Sequence, residues 1–92
     1  MLDLRYPSTY LWELESMADT ETPLRKIRAT LGVSQETVAR RTSLTTGTYR
    51  RAEDGYPVKY STAQEILQAI NSILREQGKA EVSLEDLSLK LM

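Results

Sequence analysis

From residue 22 to the end, the chain repeats one local signal: a serine or threonine stands before a stretch whose apolar residues have helical spacing. Such residues cap helix N-termini because the side-chain oxygen accepts a hydrogen bond from a backbone N–H that has no partner within the helix. The candidate caps are Thr22, Ser34, Thr45, Ser61 and Ser83. Five helix starts in 92 residues leave room only for short helices around one small core. We therefore predict an all-α fold with five helices.

The first three predicted helices are short and closely spaced. The first begins at Pro23, a residue favoured at the first helical position, and stops at Gly32. The second starts after Ser34. A turn of three residues, 42–44, separates it from the third helix, which ends at residues 54–55. Two short helices joined by such a turn are the helix-turn-helix arrangement, whose second helix can enter a major groove of DNA.

Two more helices follow. Ser61 and Gln64 have the spacing of a capping box and predict the start of the longest helix, which ends near Gly78. Its core-facing candidates are Ala63, Ile66, Leu67, Ile70, Ile73 and Leu74. The last helix is predicted over residues 83–91, and its apolar residues are Leu84, Leu87 and Leu91.

Residues 1–22 form an apolar and acidic N-terminal extension, which we call the arm. Its apolar spacing favours a short helix over about residues 9–17, although alternation of apolar residues also fits an extended arm or a hairpin.

The formal net charge of −1 conceals an uneven distribution. Residues 1–22 contain one basic and five acidic residues, a net charge of −4. Residues 23–60 contain eight basic and three acidic residues, a net charge of +5. Residues 61–92 contain three basic and five acidic residues, a net charge of −2. A basic middle between two acidic ends indicates that the middle of the chain binds an anion.

The chain contains neither cysteine nor histidine. It therefore has no residues for thiolate or imidazole metal sites, or for Ser-His and Cys-His catalytic dyads. We expect a protein that is not an enzyme and has no metal, cofactor or small-molecule substrate. No apolar run has the length of a transmembrane helix or a signal peptide, so we expect a cytoplasmic protein without a membrane partner.

The run from Leu24 to Gly55 resembles the Xre/Cro family of helix-turn-helix DNA-binding domains, which are similar to phage lambda repressor. The matching segments are LRKIRATLGVSQ, VARR and TYRRAEDG, and the resemblance covers about residues 23–77. It implies a compact five-helix, lambda-repressor-like bundle over residues 23–92, with the helix-turn-helix at about residues 34–54 and the arm as an N-terminal extension. It also implies a homodimer that binds a palindromic site on double-stranded DNA.

The resemblance implies roles for individual residues. The base-facing positions are Thr46, Gly47, Arg50 and Arg51. The positions near the DNA backbone are Gln35, Thr45, Thr48, Tyr56 and Lys59, to which we add Arg40 at the exposed end of the second helix. Arg28 and Glu53 match an ion pair that joins the first helix to the third. The outward direction of the two arginines also follows from spacing, since they stand between the inward candidates Tyr49 and Ala52.

Four positions depart from the family pattern. Tyr49 stands where a branched aliphatic residue is usual, and Tyr60 stands where proline often precedes the cap of the next helix. Ser43 stands where the turn often has glycine, so a strained φ is expected there. Gly47 leaves one base-facing position without a side chain, which weakens sequence readout at that point.

These observations predict a sequence-specific transcriptional regulator, most simply a dimeric repressor. Leu84, Leu87 and Leu91 either close the core of the monomer or pair across a two-fold axis, and we favour the dimer because a single half-site gives limited affinity. The alternative function is that of an antitoxin or adaptor, which uses the same fold in a larger nucleoprotein complex. In that case the arm binds a protein partner through Tyr10, Trp12 and Leu14. The same apolar residues also fit an arm that packs on its own domain or exchanges with a second subunit.

Overall fold

The computed structural model describes residues 21–92, which form five α-helices and no strand. The helices are α1 (Pro23–Leu31), α2 (Gln35–Ala39), α3 (Thr46–Glu53), α4 (Tyr60–Glu76) and α5 (Leu84–Leu87). The predicted all-α fold with five helices is therefore confirmed for this part of the chain. The predicted helix at residues 9–17 lies outside the described residues.

Four of the five predicted caps accept the expected hydrogen bond. The side chain of Thr22 accepts from the N–H of Arg25, and those of Ser34, Thr45 and Ser83 each accept from the N–H three residues further on. Gly32 ends α1 with a φ of 71°, a left-handed conformation that glycine adopts without steric strain. Local sequence signals therefore set most of the helix boundaries.

The predicted cap at Ser61 is wrong. α4 begins two residues earlier than this cap implies, at Tyr60, and its N-cap is Lys59, whose side chain makes no capping hydrogen bond. The reason is nonlocal: the C-terminal segment hydrogen-bonds to Val58 and holds the loop extended up to Lys59. The helix consequently starts there, and Ser61 lies in its first turn.

The last helix is also shorter than predicted, since α5 spans Leu84–Leu87 rather than residues 83–91. Ser88 has a φ of 50°, which turns the chain out of the helix. The segment after it then runs parallel to the loop before α4: Val58 N–H donates to the Lys90 carbonyl at 2.8 Å, and Met92 N–H donates to the Val58 carbonyl at 2.9 Å. Leu91 thus stands in an isolated β-bridge with Val58, where we had predicted helix.

The core lies around α4, which contacts α1, α2 and α5. All five helices contribute fully buried side chains, including Leu24, Val38, Tyr49, Ile66 and Leu87. Of the six apolar residues predicted to face the core from α4, five are buried and Leu67 is half-buried. The fold is therefore a small helical bundle with one core. None of its described helices is long and apolar enough to cross a membrane.

The three C-terminal leucines differ in how deeply they are buried. Leu87 is fully buried in the core of its own chain, and Leu84 is half-buried against that core. Leu91 is 44% exposed. Leu87 therefore closes the core of the monomer, the first of the two interpretations, and Leu84 packs against the same core. The reason is that α5 folds back onto α1 and α4. Leu91 alone of the three leaves apolar surface for a second chain.

Candidate nucleic-acid interface

The two faces of α3 differ sharply in burial. Tyr49, Ala52 and Glu53 are buried, whereas Gly47, Arg50 and Arg51 are exposed on the opposite face. This is the helical spacing that the sequence predicted for the two arginines. Among the predicted base-facing residues, only Thr46 is half-buried. The exposed face of α3 is therefore basic and has a gap in its side chains at Gly47.

Glu53 fixes α3 to the rest of the domain. Its side chain is fully buried and accepts hydrogen bonds from Arg28 at 2.5 and 3.2 Å, which confirms the predicted ion pair. Arg25 donates to the same carboxylate at 3.3 Å and also pairs with Asp54. Gln35 donates a further hydrogen bond at 3.0 Å. One buried carboxylate thus joins α1 and α2 to the end of α3.

The protonation of Glu53 reflects this environment. Burial by itself acts to raise the pKa of Glu53, because it disfavours the charged form. Hydrogen bonds from Arg28 and Gln35 act in the opposite direction and prevail, so the pKa of Glu53 is lowered. The carboxylate therefore remains charged at neutral pH, and the buried charge is compensated by its partners.

Gln35 connects the buried carboxylate of Glu53 to the exposed face of α3. Its amide nitrogen donates to Glu53, and its amide oxygen accepts a hydrogen bond from Nε of Arg50 at 3.2 Å. The guanidinium of Arg50 is thereby held at the start of α2, with its terminal nitrogens free of any described carboxylate. Gln35 thus braces the exposed face of α3 against the buried carboxylate, while the DNA-backbone contact that the resemblance implies for this residue stays a prediction.

Ion pairs within the domain neutralise half of the basic residues in the middle of the chain. Of the eight between residues 23 and 60, four form ion pairs with carboxylates: Arg25, Arg28, Arg40 and Arg41. Arg40 pairs with Glu36 on its own helix, so this predicted DNA contact already has an anionic partner. The other four form no ion pair with a described carboxylate: Lys26, Arg50, Arg51 and Lys59.

Arg51 and Lys59 line a groove between α3 and the start of α4. The guanidinium of Arg51 lies over the ring of Tyr56, 4.8 Å from its centroid, a cation–π contact that orients both side chains. The groove has a volume of about 310 Å³ and no acidic residue in its lining. We call it the loop groove and define it by its lining residues: Thr48, Arg51, Pro57, Val58, Lys59, Thr62 and Met92.

Most of the other residues predicted to lie near the DNA backbone stand around this groove. Thr45 caps α3, and its hydroxyl lies 3.0 Å from that of Thr48. Tyr56 is 50% exposed at the side of Arg51. Lys59 is exposed at the N-terminal end of α4. Thr48, Tyr56 and Lys59 therefore share one surface with Arg51, whereas Arg40 lies at the end of α2.

The turn before α3 is held by a contact that the sequence did not predict. Ser43 donates from its N–H and its hydroxyl to Glu65 of α4, both at 2.8 Å, and these hydrogen bonds lower the pKa of Glu65. The strain expected at Ser43 is wrong, since among the described residues other than glycine only Ser88 has a positive φ.

Other supporting residues were also missed. Arg41 forms a two-pronged ion pair with Glu76, at 2.7 and 2.9 Å, and so ties the end of α2 to α4. The buried Asn71 exchanges two hydrogen bonds with Val82 and holds the segment before α5. The sequence offered one signal for Asn71, because this polar residue stands within the apolar stripe of α4. No local pattern pointed to Glu65 or Glu76.

No family model, curated protein or solved structure matches this chain. The functional argument therefore depends on the geometry and charge of the site.

Proposed function

We propose that this protein is a sequence-specific regulator that binds double-stranded DNA, with α3 in the major groove, and that it acts as a dimeric repressor of transcription. One observation carries the proposal: α3 buries its anchoring face and exposes Arg50 and Arg51, neither of which pairs with a described carboxylate. An arginine fork can bind guanine O6 and N7 together, and it retains its full charge at neutral pH.

The flanking geometry supports the same proposal. α2 lies against α3 and carries Gln35, which positions Arg50. Lys59 and the hydroxyl of Thr48 stand beside Arg51 and provide donors of the type that bind phosphate. This arrangement of a helix pair with a basic outer helix is what the resemblance to the Xre/Cro family implies, and membership of that family is part of the proposal.

The test is selection of binding sites from random double-stranded DNA with the full chain. We expect an enriched palindromic sequence that contains guanine. Replacing both arginines, Arg50→Ala with Arg51→Ala, should abolish the enrichment. The charge-matched control, Arg75→Ala with Lys79→Ala, removes two cations near the C-terminal end of α4. This variant should retain the enrichment. Failure to enrich any sequence, or equal enrichment by the two double variants, would contradict the proposal.

A second comparison separates base readout from simple charge. Arg50→Lys and Arg51→Lys keep the positive charge but lose the planar fork. We expect at least one of them to bind random DNA as the parent does, yet to discriminate less between the selected site and a mismatched site. Each good bidentate contact provides roughly 1–3 kcal/mol of discrimination, which a competition assay measures readily.

The alternative function, an antitoxin or adaptor whose arm binds a protein, depends on Tyr10, Trp12 and Leu14. These residues lie outside the described part of the chain, so that function stays a prediction. The acidic and apolar composition of the arm is what supports it.

A further inference from the structure

One end of the domain collects its exposed apolar residues. The large apolar side chains that are exposed in the described part of the chain are Tyr56, Tyr60, Leu91 and Met92. All four lie at or beside the loop groove: Met92 lines it, Leu91 pairs with its wall at Val58, Tyr56 is covered by Arg51, and Tyr60 follows Lys59. Met92 is 80% exposed and Tyr60 is 60% exposed. This end therefore has an apolar surface without a described partner.

The same surface is positively charged. Arg51 and Lys59 line the groove, form no ion pair with a described carboxylate, and are accompanied by the hydroxyls of Thr48 and Thr62. A segment that covers this surface should therefore be both apolar and acidic. The arm has that composition: five acidic residues against one basic residue, interleaved with leucine, tyrosine, methionine and tryptophan.

The arm also joins the domain near the loop that leads into the groove. Thr22 caps α1 and donates a hydrogen bond to the backbone carbonyl of Glu53, at the end of α3, at 2.7 Å. Its methyl group would lie 3.9 Å from a Cβ placed on Gly55, the residue before Tyr56. The arm thus joins the domain beside Gly55, which directly precedes Tyr56, the residue whose ring Arg51 covers. A twenty-residue segment spans up to about 66 Å when extended, so the whole groove is within its reach.

We propose that the arm of the same chain docks in the loop groove, where its carboxylates meet Arg51 and Lys59 and its apolar side chains cover Tyr56, Tyr60 and Met92. Because the arm is tethered next to the groove, its effective concentration there is in the millimolar range. Given the proposed function, the docked arm occupies cations that contact DNA phosphates, so it competes with nonspecific DNA. The selected site displaces it because specific binding is stronger.

Trp12, the single tryptophan of the chain, provides a direct reporter that requires no DNA. At low salt, we expect its fluorescence in the full chain to be blue-shifted and shielded from acrylamide. The groove variant, Arg51→Gln with Lys59→Gln, should shift the emission to the red and increase quenching. Raising the salt concentration should do the same, since screening weakens exposed charge pairs. The control Arg75→Gln with Lys79→Gln removes the same charge about 20 Å away along α4 and should leave Trp12 shielded.

A second measurement leaves the groove intact. The full chain with Asp3→Asn, Glu13→Gln, Glu15→Gln and Asp19→Asn keeps only Arg5 and Glu21 as charged side chains in the arm, so it has a neutralised arm and an unaltered core. Its two-dimensional amide NMR spectrum should differ from that of the parent at Thr48, Arg51 and Lys59, and should coincide with it at Lys79. Equal shielding of Trp12 in the groove and control variants would overturn the proposal. So would shielding that rises with protein concentration, because the occupant would then be the arm of a second copy.

Binding to DNA distinguishes this inference from the function on which it rests. The neutralised arm should increase the affinity for random DNA, and the gain should shrink as salt increases. If no variant binds DNA while Trp12 is released by the groove variant and not by the Arg75/Lys79 control, the proposed function fails and the docking stands. If DNA binds and Trp12 is exposed in every variant, the docking fails and the proposed function stands.

Discussion

Glu53 illustrates how a single residue supports a surface that it does not reach. Its buried carboxylate holds Arg28, Arg25 and Gln35 together, and Gln35 in turn holds Arg50 at the exposed face of α3. Loss of this carboxylate should consequently disturb both stability and the position of the proposed recognition helix.

The first prediction concerns Glu53→Gln. Leaving Arg28 without its carboxylate should lower the free energy of unfolding by about 3 kcal/mol at pH 7, as breaking a buried pair typically does. The pKa of Glu53 is lowered in the folded state, so its stabilisation is complete above the unfolded value and is lost as pH falls through the folded pKa. The variant should therefore lose less stability than the parent on acidification. Urea unfolding between pH 7 and pH 3 measures both effects.

A matched exposed carboxylate provides the control for Glu53. Glu36 pairs with Arg40 on the surface of α2, where both side chains are more than half exposed. Glu36→Gln should change the free energy of unfolding by less than about 1 kcal/mol, because an exposed pair is well solvated. Equal effects of the two substitutions, or identical pH profiles for Glu53→Gln and the parent, would contradict the organising role of Glu53.

The second prediction concerns Gly47, whose lack of a side chain the fold does not require. It lies in α3 with an ordinary helical backbone, and a Cβ added there would meet only the Thr45 hydroxyl oxygen, at 3.9 Å. Gly47→Ala should raise the free energy of unfolding by up to about 1 kcal/mol, because alanine loses less conformational freedom in a helix. Thermal unfolding measures the gain. A less stable variant would show that Gly47 meets a structural need that the described residues do not reveal.

At the scale of the helices, capping separates local from nonlocal control. Ser34 accepts a hydrogen bond from the N–H of Thr37, whereas α4 starts before the equivalent hydroxyl of Ser61 can cap it. Our third prediction is that Ser34→Ala lowers the free energy of unfolding by about 1 kcal/mol. Ser61→Ala should change it by less than about 0.5 kcal/mol, since the residue lies within the helix. Urea denaturation of both variants tests this, and a larger loss at Ser61 would contradict the observed start of α4.

Ser34, which caps its helix, and Ser61, which does not, show which parts of the fold the sequence can predict. Thr22, Ser34, Thr45 and Ser83 act on backbone groups three residues away, so their signal lies within one short window. The start of α4 instead depends on hydrogen bonds between Val58 and residues 90–92, about thirty residues later. No window contains both partners, and the Ser61 signal was therefore misleading.

The candidate site follows the same division. The outward direction of Arg50 and Arg51 follows from helical spacing, and the Arg28–Glu53 pair followed from the family resemblance. The sequence did not show that Arg40 and Arg41 pair with carboxylates, because Glu76 reaches Arg41 only once α4 has packed against α2. Charge counted along the chain thus overstated the charge available to an anion.

At the scale of the whole molecule, that reduced charge limits the response of DNA binding to salt. Between residues 23 and 60, four cations per chain have no described carboxylate partner: Lys26, Arg50, Arg51 and Lys59. The salt dependence of binding has an exponent of about 0.9 for each phosphate neutralised. If these four alone contact phosphate, one chain loses at most about 150-fold in affinity between 50 and 200 mM salt, and a dimer loses at most about 20,000-fold.

The difference between the loss of affinity for one chain and that for a dimer provides the fourth prediction. We expect the affinity of the full chain for its selected site to fall by more than about 150-fold over that range, because two chains bind together. Titration at several salt concentrations, with sedimentation of the complex at each, measures the exponent and the stoichiometry independently. Lys59→Gln should reduce the exponent by about two in a dimer, one phosphate for each chain, and Arg75→Gln should leave it unchanged. A flat response would contradict DNA binding. An exponent within the limit for one chain, with a single chain in the complex, would contradict the dimer while leaving α3 as the DNA-binding helix.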